Sequence, residues 1–259
     1  MSYLTYVLFV FGLVLITYSA NVLVKYTEDI SYDLNISHFF SSLIFIGLAT
    51  SSPEIFIALL ASLDNKSNIA IGNALGSNIA NIALVFAVTF FFIKMSNDSL
   101  SRSFTRDVKA FFIYLLIITL LLVPLLADGQ INPIDSVILI STFLLFLLYL
   151  KKYINLENKE SKSTIPTNII RNFLIILLSI TMLIIGTQIF LDSSVKIATF
   201  FGVPNYVIGL SLTAIGTSLP ELAASIQSAR RENIDFIIGN ILGSNIFNVV
   251  LVLGLVGLV

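Results

Sequence analysis

The 259-residue chain has no cysteine, no tryptophan and a single histidine, and only 11% of it is charged. Without cysteine it has neither disulfides nor a thiolate metal site. One imidazole, His38, cannot build the nitrogen cluster that zinc or copper prefers, and it reads as an ordinary interfacial residue. Soluble domains carry about 25% charged residues. This chain has less than half of that, with 57% hydrophobic residues and a mean hydropathy of +0.98. A soluble core of this length could not hide so much apolar surface, so the surrounding medium must be lipid. The formal net charge of −1 argues against a nucleic-acid partner and against charge-driven adsorption to a membrane surface.

Crossing the hydrocarbon as a helix takes roughly 20 apolar residues. Eight stretches qualify, at about 4–24, 39–61, 69–93, 108–127, 133–150, 170–191, 204–228 and 236–259. Backbone groups in lipid must pair internally, so these runs are expected to be helices. They do not alternate as barrel strands would. The fold class expected is therefore all-α, a polytopic helix bundle. The first run lacks a basic leader, so it is expected to be a retained span.

Charge sets the orientation. The loops after spans one, three, five and seven share one side of the membrane. They hold Lys25, then Lys94, Arg102, Arg106 and Lys109, then Lys151, Lys152, Lys159, Lys162 and Arg171, then Arg230 and Arg231. The other side holds only Lys66 and Lys196. The positive side is cytoplasmic, which puts the N-terminus outside and the protein in the cell membrane. Residues 151–168 form the one long polar stretch and read as a cytoplasmic linker between residues 1–150 and 169–259.

These two parts repeat one another. Residues 50–54 read TSSPE and residues 217–221 read TSLPE; residues 71–81 read IGNALGSNIAN and residues 238–248 read IGNILGSNIFN. Both pairs are offset by 167 positions. A constant offset over two separated blocks implies duplication of one unit. The first copies fall on spans two and three and the second on spans seven and eight. An odd number of spans separates each pair, so the copies run in opposite directions through the bilayer. Inverted repeats of this kind build alternating-access transporters, with the substrate site at mid-depth between them.

The polar residues of the repeats are the candidate site. Glu54 and Glu221 sit in mid-span, where a charge costs roughly 2.5–3.5 kcal/mol on insertion scales. No lysine or arginine lies at matching depth. A cation or a proton must therefore compensate them. Each follows a proline, Pro53 or Pro220, which removes a backbone N–H and frees carbonyls in the preceding turn. Thr50 and Ser51 share a face with Glu54, as Thr217 and Ser218 do with Glu221. Asn73, Ser77 and Asn81 form a polar stripe repeated by Asn240, Ser244 and Asn248. Beside it run Gly72 and Gly76, repeated by Gly239 and Gly243, in the spacing that lets helices approach closely. Asn78 and Asn245 point away from the stripe and read as interhelical hydrogen-bonding residues. Oxygen ligands without sulfur or imidazole suit calcium, sodium, magnesium or manganese.

At these residues the chain resembles the sodium/calcium exchanger family of cation/calcium antiporters, in its compact prokaryotic form. GLATSSPE with GNALGSNIAN, and AIGTSLPE with GNILGSNIFN, match the family's paired motifs. The resemblance implies an antiporter and not an enzyme, with no cofactor beyond the transported calcium and sodium ions and a monomeric state in the bilayer. It implies ion ligands at Thr50, Ser51, Glu54, Ser77 and Asn81, and at Thr217, Ser218, Glu221, Ser244 and Asn248. Backbone carbonyls of Gly47 and Ala214 complete the implied set, and spans one and six would slide as the gate. The family fold implies ten spans, five per half, so two helices are expected beyond Val259. Some members carry aspartate at the position of Asn248. Related calcium/proton exchangers place an acidic residue where this chain has Gly76 and Gly243, which favours sodium as the coupling ion. Proton coupling, an ion channel, an intramembrane hydrolase using Ser51 or Ser218, and a non-transporting fragment are the other readings. A hydrolase would need a base or metal ligands, and no HExxH motif is present.

Overall fold

A computed structural model describes residues 3–64, 66–93, 106–157, 168–204, 208 and 214–258. These residues form helices throughout and, among them, no strand. In chain order the helices are α1 (Tyr3–Leu34), α2 (His38–Ser41), α3 (Gly47–Thr50), α4 (Ser52–Leu63), α5 (Ser67–Ala80), α6 (Phe86–Phe90), α7 (Arg106–Leu125), α8 (Pro133–Glu157), α9 (Ile169–Phe200), α10 (Ala214–Thr217), α11 (Leu219–Arg230), α12 (Ile234–Phe247) and α13 (Leu253–Val256). Wider π turns join α2 to α3 (Ser42–Ile46), α5 to α6 (Asn81–Val85) and α12 to α13 (Asn248–Val252).

Among the described residues six helices are long and apolar enough to cross a bilayer, or seven if His38–Thr50 and Ser52–Leu63, bent by 42°, make one span. They correspond to spans one to six and eight of the sequence reading. Span seven, 204–228, falls partly outside the described residues. So do Lys94, Arg102, Lys159 and Lys162. The first part of the expected linker is the continuation of α8 as helix to Glu157, and its residues 158–167 lie outside the described residues. Hydropathy registers the lipid thickness, whereas a helix can continue into water beyond it.

Beside its apolar core the bundle buries many small and polar residues and leaves many large apolar ones exposed. Along α1 the buried face carries Thr5, Gly12, Ile16, Ser19, Ala20, Leu23 and Thr27, while Val7, Phe11, Val14 and Tyr18 are exposed. Water would reverse that pattern; lipid permits it. α1 packs along α9, and both are 32 residues long. Glycine lets the two backbones meet: a Cβ on Gly12 would stand 2.8 Å from the Phe190 nitrogen. Their buried hydroxyls turn back on their own helices, Ser19 Oγ bonding the Leu15 carbonyl at 2.6 Å and Thr187 Oγ1 that of Leu183 at 2.8 Å.

α12 is the most enclosed element, with every residue from Phe236 to Phe247 buried. It lies against the π turn Ser42–Ile46 and α3. A Cβ on Gly239 would come within 2.5 Å of the Phe39 carbonyl oxygen, and one on Gly243 would collide with that of Leu43. These two glycines are therefore packing positions, as their spacing predicts. Ser42 Oγ fastens the same contact with a 2.6 Å bond to the Phe236 carbonyl. α7 and α8 cover the other side of α12 and its π turn. The first-repeat copy of this element instead leaves Ile79, Ile82 and Phe86 exposed.

Candidate ion-binding site

The helical path breaks at the same place in both repeats. Ser51 has φ −79°, ψ 2° and Ser218 has φ −86°, ψ 4°, so each leaves the helical region for one residue. Pro53 and Pro220 lie in the first turn of the helices that follow, where their missing N–H is not needed. Glu54 and Glu221 share those first turns. Each carboxyl thus meets the positive end of a helix dipole. The second irregularity is also duplicated: the π turns starting at Asn81 and Asn248 stand at equivalent positions. Such turns are rare and gather at functional sites.

Every side chain of the expected set that the structure describes is buried. Thr50, Ser51, Glu54, Ser77, Asn81, Thr217, Glu221, Ser244 and Asn248 have no exposed surface, and Ser218 has 1%. Ser77 Oγ donates to Glu54 Oε1 at 3.0 Å and lies 3.1 Å from Thr217 Oγ1. In the opposite half, Thr50 Oγ1 lies 3.0 Å from Ser244 Oγ. The Gly47 carbonyl accepts from Ser244 Oγ at 3.3 Å and from the Ser51 N–H at 3.2 Å, and Thr50 Oγ1 lies 3.4 Å from it. Thr50 and Ser244 stand beside the Glu221 carboxyl, and the two carboxyls are near enough to repel each other when both are charged.

The structure thereby brings together Gly47, Thr50, Glu54, Ser77, Thr217, Glu221 and Ser244. Ser51, Ser218, Asn81 and Asn248 are buried with side-chain atoms that meet no partner. Ala214 opens α10, and its side chain lies outside what is described. Among the described residues fifteen buried side-chain atoms have no hydrogen-bond partner, and nine of them belong to Ser51, Glu54, Asn81, Ser218, Glu221 and Asn248. Seven of the nine are oxygens: Ser51 Oγ, Glu54 Oε2, Asn81 Oδ1, Ser218 Oγ, both carboxyl oxygens of Glu221, and Asn248 Oδ1. Leaving such groups bare costs about 1–3 kcal/mol each. Their concentration in one set of side chains fits a cation that binds there, and calcium takes about six to eight oxygens. Among the described residues no three of His, Cys, Asp and Glu gather as a metal cluster. The charge in this site comes from two carboxyls and the remaining donors are neutral oxygens.

Two neighbours escaped the sequence reading as parts of the site. Asn240 was legible only as a member of the polar stripe, yet it bonds Thr50, the Glu221 backbone and Ser225. Ser225 carried no signal except that its counterpart, residue 58, is alanine. Asn78 behaves as read, donating from Nδ2 to the carbonyl of its own repeat mate, Asn245, at 3.2 Å. The local two-fold axis must pass close to that bond. His38 is half-buried, 2.8 Å from Asn233 Nδ2, with its ring against Tyr32 and Phe236.

A break and a π turn repeated in both halves around buried carboxyls are the architecture of a membrane transporter. The family model for sodium/calcium exchanger protein matches residues 4–152 and 171–259, and the chain belongs to that family, whose members are membrane cation antiporters and not enzymes. It is 35% identical over 251 residues to the putative antiporter CaxA of Alkalimonas amylolytica, covering 94% of this chain and 77% of that one. It is 28% identical to the sodium/calcium exchanger MaX1 of Methanosarcina acetivorans, covering 98% and 82%. A solved structure of the sodium-calcium exchanger NCX_Mj, soaked with 2.5 mM Na+ and 0.1 mM Ca2+, superposes with a TM-score of 0.80 at 30% identity, over 100% of this chain and 83% of that one.

Proposed function

We propose that this antiporter exchanges calcium for sodium across the cell membrane. The observation that carries the reading is the pair of fully buried glutamates, Glu54 and Glu221, with three of their four carboxyl oxygens unpartnered. Together they supply two negative charges, which balance one calcium or two sodium ions. Either cation satisfies the site and neither can do so fully while the other is present. That competition couples the two fluxes. The ligands are Thr50, Ser51, Glu54, Ser77 and Asn81 with the Gly47 carbonyl, and Thr217, Ser218, Glu221, Ser244 and Asn248 with the Ala214 carbonyl.

Alternating access follows from the same architecture. α1 and α9 slide against the rest and expose the site first to one side and then to the other. The smooth glycine contact between them and their self-bonded hydroxyls support a sliding pair. With the basic loops cytoplasmic and the N-terminus outside, sodium entering the cell drives calcium out. The test is radiolabelled calcium uptake into proteoliposomes loaded with sodium. Dissipating the sodium gradient stops uptake, and Glu54→Gln or Glu221→Gln abolishes it. Uptake that ignores sodium and follows a pH jump instead would overturn the sodium coupling.

A further inference from the structure

Asn240 and Asn73 hold equivalent places in the two repeats, 167 positions apart, but they are bonded differently. Asn240 is fully buried. Its Nδ2 donates to the Glu221 backbone carbonyl at 3.1 Å and to Ser225 Oγ at 2.9 Å, and its Oδ1 accepts from Thr50 Oγ1 at 3.2 Å. Asn73 is half-buried, and its Nδ2 is sealed from solvent without a partner. The difference traces to one position. Where the second repeat has Ser225, the first has Ala58, fully buried and with no oxygen to offer.

The orientation of the Asn240 amide follows from donor and acceptor identity. The Glu221 carbonyl can only accept, so the nitrogen must face it and the oxygen must face Thr50. Of the two oxygens around Thr50 Oγ1 that can only accept, Asn240 Oδ1 at 3.2 Å is nearer than the Gly47 carbonyl at 3.4 Å, so Thr50 directs its single proton at Asn240. A hydroxyl binds a cation through a lone pair, and its proton must be taken elsewhere. Asn240 takes it, which leaves the Thr50 oxygen turned for coordination next to Glu221. Ser225 holds the amide in that register.

We infer that Asn240 is a positioning residue of the ion site, locked by Ser225, and that it prepares Thr50 and Glu221 for the cation while Asn73 does no equivalent work for the other half. This rests on the calcium–sodium reading of the site. The two halves are then unequal: a hydrogen-bond chain from Ser225 through Asn240 holds the Glu221 backbone and Thr50, whereas Asn73 Nδ2 makes no such bond behind Glu54.

The experiment is calcium binding to purified wild type, Asn240→Ala, Ser225→Ala, the double variant and Asn73→Ala, with transport rates measured in parallel. Asn240→Ala is expected to weaken binding about threefold to tenfold, the value of one or two net hydrogen bonds. Ser225→Ala gives a smaller loss, and the double variant is no worse than Asn240→Ala alone. The half-saturating calcium concentration for transport rises while the maximal rate per folded protein holds, which a loss of folded material would not produce. Asn73→Ala gives a smaller shift than Asn240→Ala. Should Asn240→Ala not fold, Ser225→Ala against Asn73→Ala decides. Normal wild-type binding with unaltered Asn240 and Ser225 variants, or an equal loss at Asn73, overturns this inference alone. A wild type that binds no calcium overturns the functional reading and this inference with it.

Discussion

Thr50 Oγ1 lies 3.0 Å from Ser244 Oγ, although 194 positions separate the two residues. The inverted duplication explains the contact, because its image is Thr217 Oγ1 at 3.1 Å from Ser77 Oγ. Each threonine of one repeat meets the serine of the other, so neither half can form the site by itself. Replacing either threonine with valine keeps its shape and removes the bridge. Thr50→Val and Thr217→Val are each expected to weaken calcium binding by about tenfold, the equivalent of roughly 1.4 kcal/mol. Isothermal titration of the purified variants checks this.

The approach of α12 to the turn before α3 makes the second prediction. A side chain at Gly243 would strike the Leu43 carbonyl, which belongs to backbone and cannot swing aside. Gly243→Ala is expected to lower stability by about 1–3 kcal/mol, the usual cost of overpacking. Thermal unfolding in detergent measures it. Calcium protects the wild type more than the variant, since the displaced α12 carries Ser244.

Arg231 ties the α11–α12 loop to α1. Its Nη1 lies 3.4 Å from Glu28 Oε2 and its Nη2 donates to Asn21 Oδ1 at 3.0 Å. Both charged partners are partly exposed, so the pair is worth no more than about 1 kcal/mol. That is still enough to change the population of an open state by up to about fivefold. Glu28→Gln is therefore expected to speed thiol labelling of a Ser228→Cys probe, buried near the end of α11. The chain has no cysteine of its own, so the background is nil.

Glu232, in the same loop, has φ 57°. A left-handed backbone costs a non-glycine residue roughly 1–2 kcal/mol. Glu232→Gly is expected to raise thermal stability by about 1 kcal/mol and leave the calcium half-saturation unchanged, as transport assays alongside the melting curves would show.

Seven of the eight expected spans, counting the bent pair as one, and the burial of the candidate site residues were legible because lipid makes polarity conspicuous. In an apolar span, TSSPE or GNALGSN stands out, and its repetition 167 positions later marks the architecture. Other features depend on contacts that no local pattern encodes. The π turns at Asn81 and Asn248 arise inside runs that read as ordinary helix. The 32-residue lengths of α1 and α9 exceed the lipid thickness that hydropathy registers. Pro53 and Pro220 announced an irregularity, but the single residue that leaves the helix is Ser51 or Ser218, ahead of the proline and not at it. The unequal roles of Asn240 and Asn73 hinge on Ser225 against Ala58, a difference invisible until the helices are packed.

Equilibrium binding of radiolabelled calcium, titrated with sodium, tests the shared carboxylate pair most directly. In the wild type, sodium displaces calcium completely, and Glu54→Gln and Glu221→Gln each remove most calcium binding. Calcium retained at full affinity in both variants, or held in the wild type against saturating sodium, would contradict a single site built from Glu54 and Glu221.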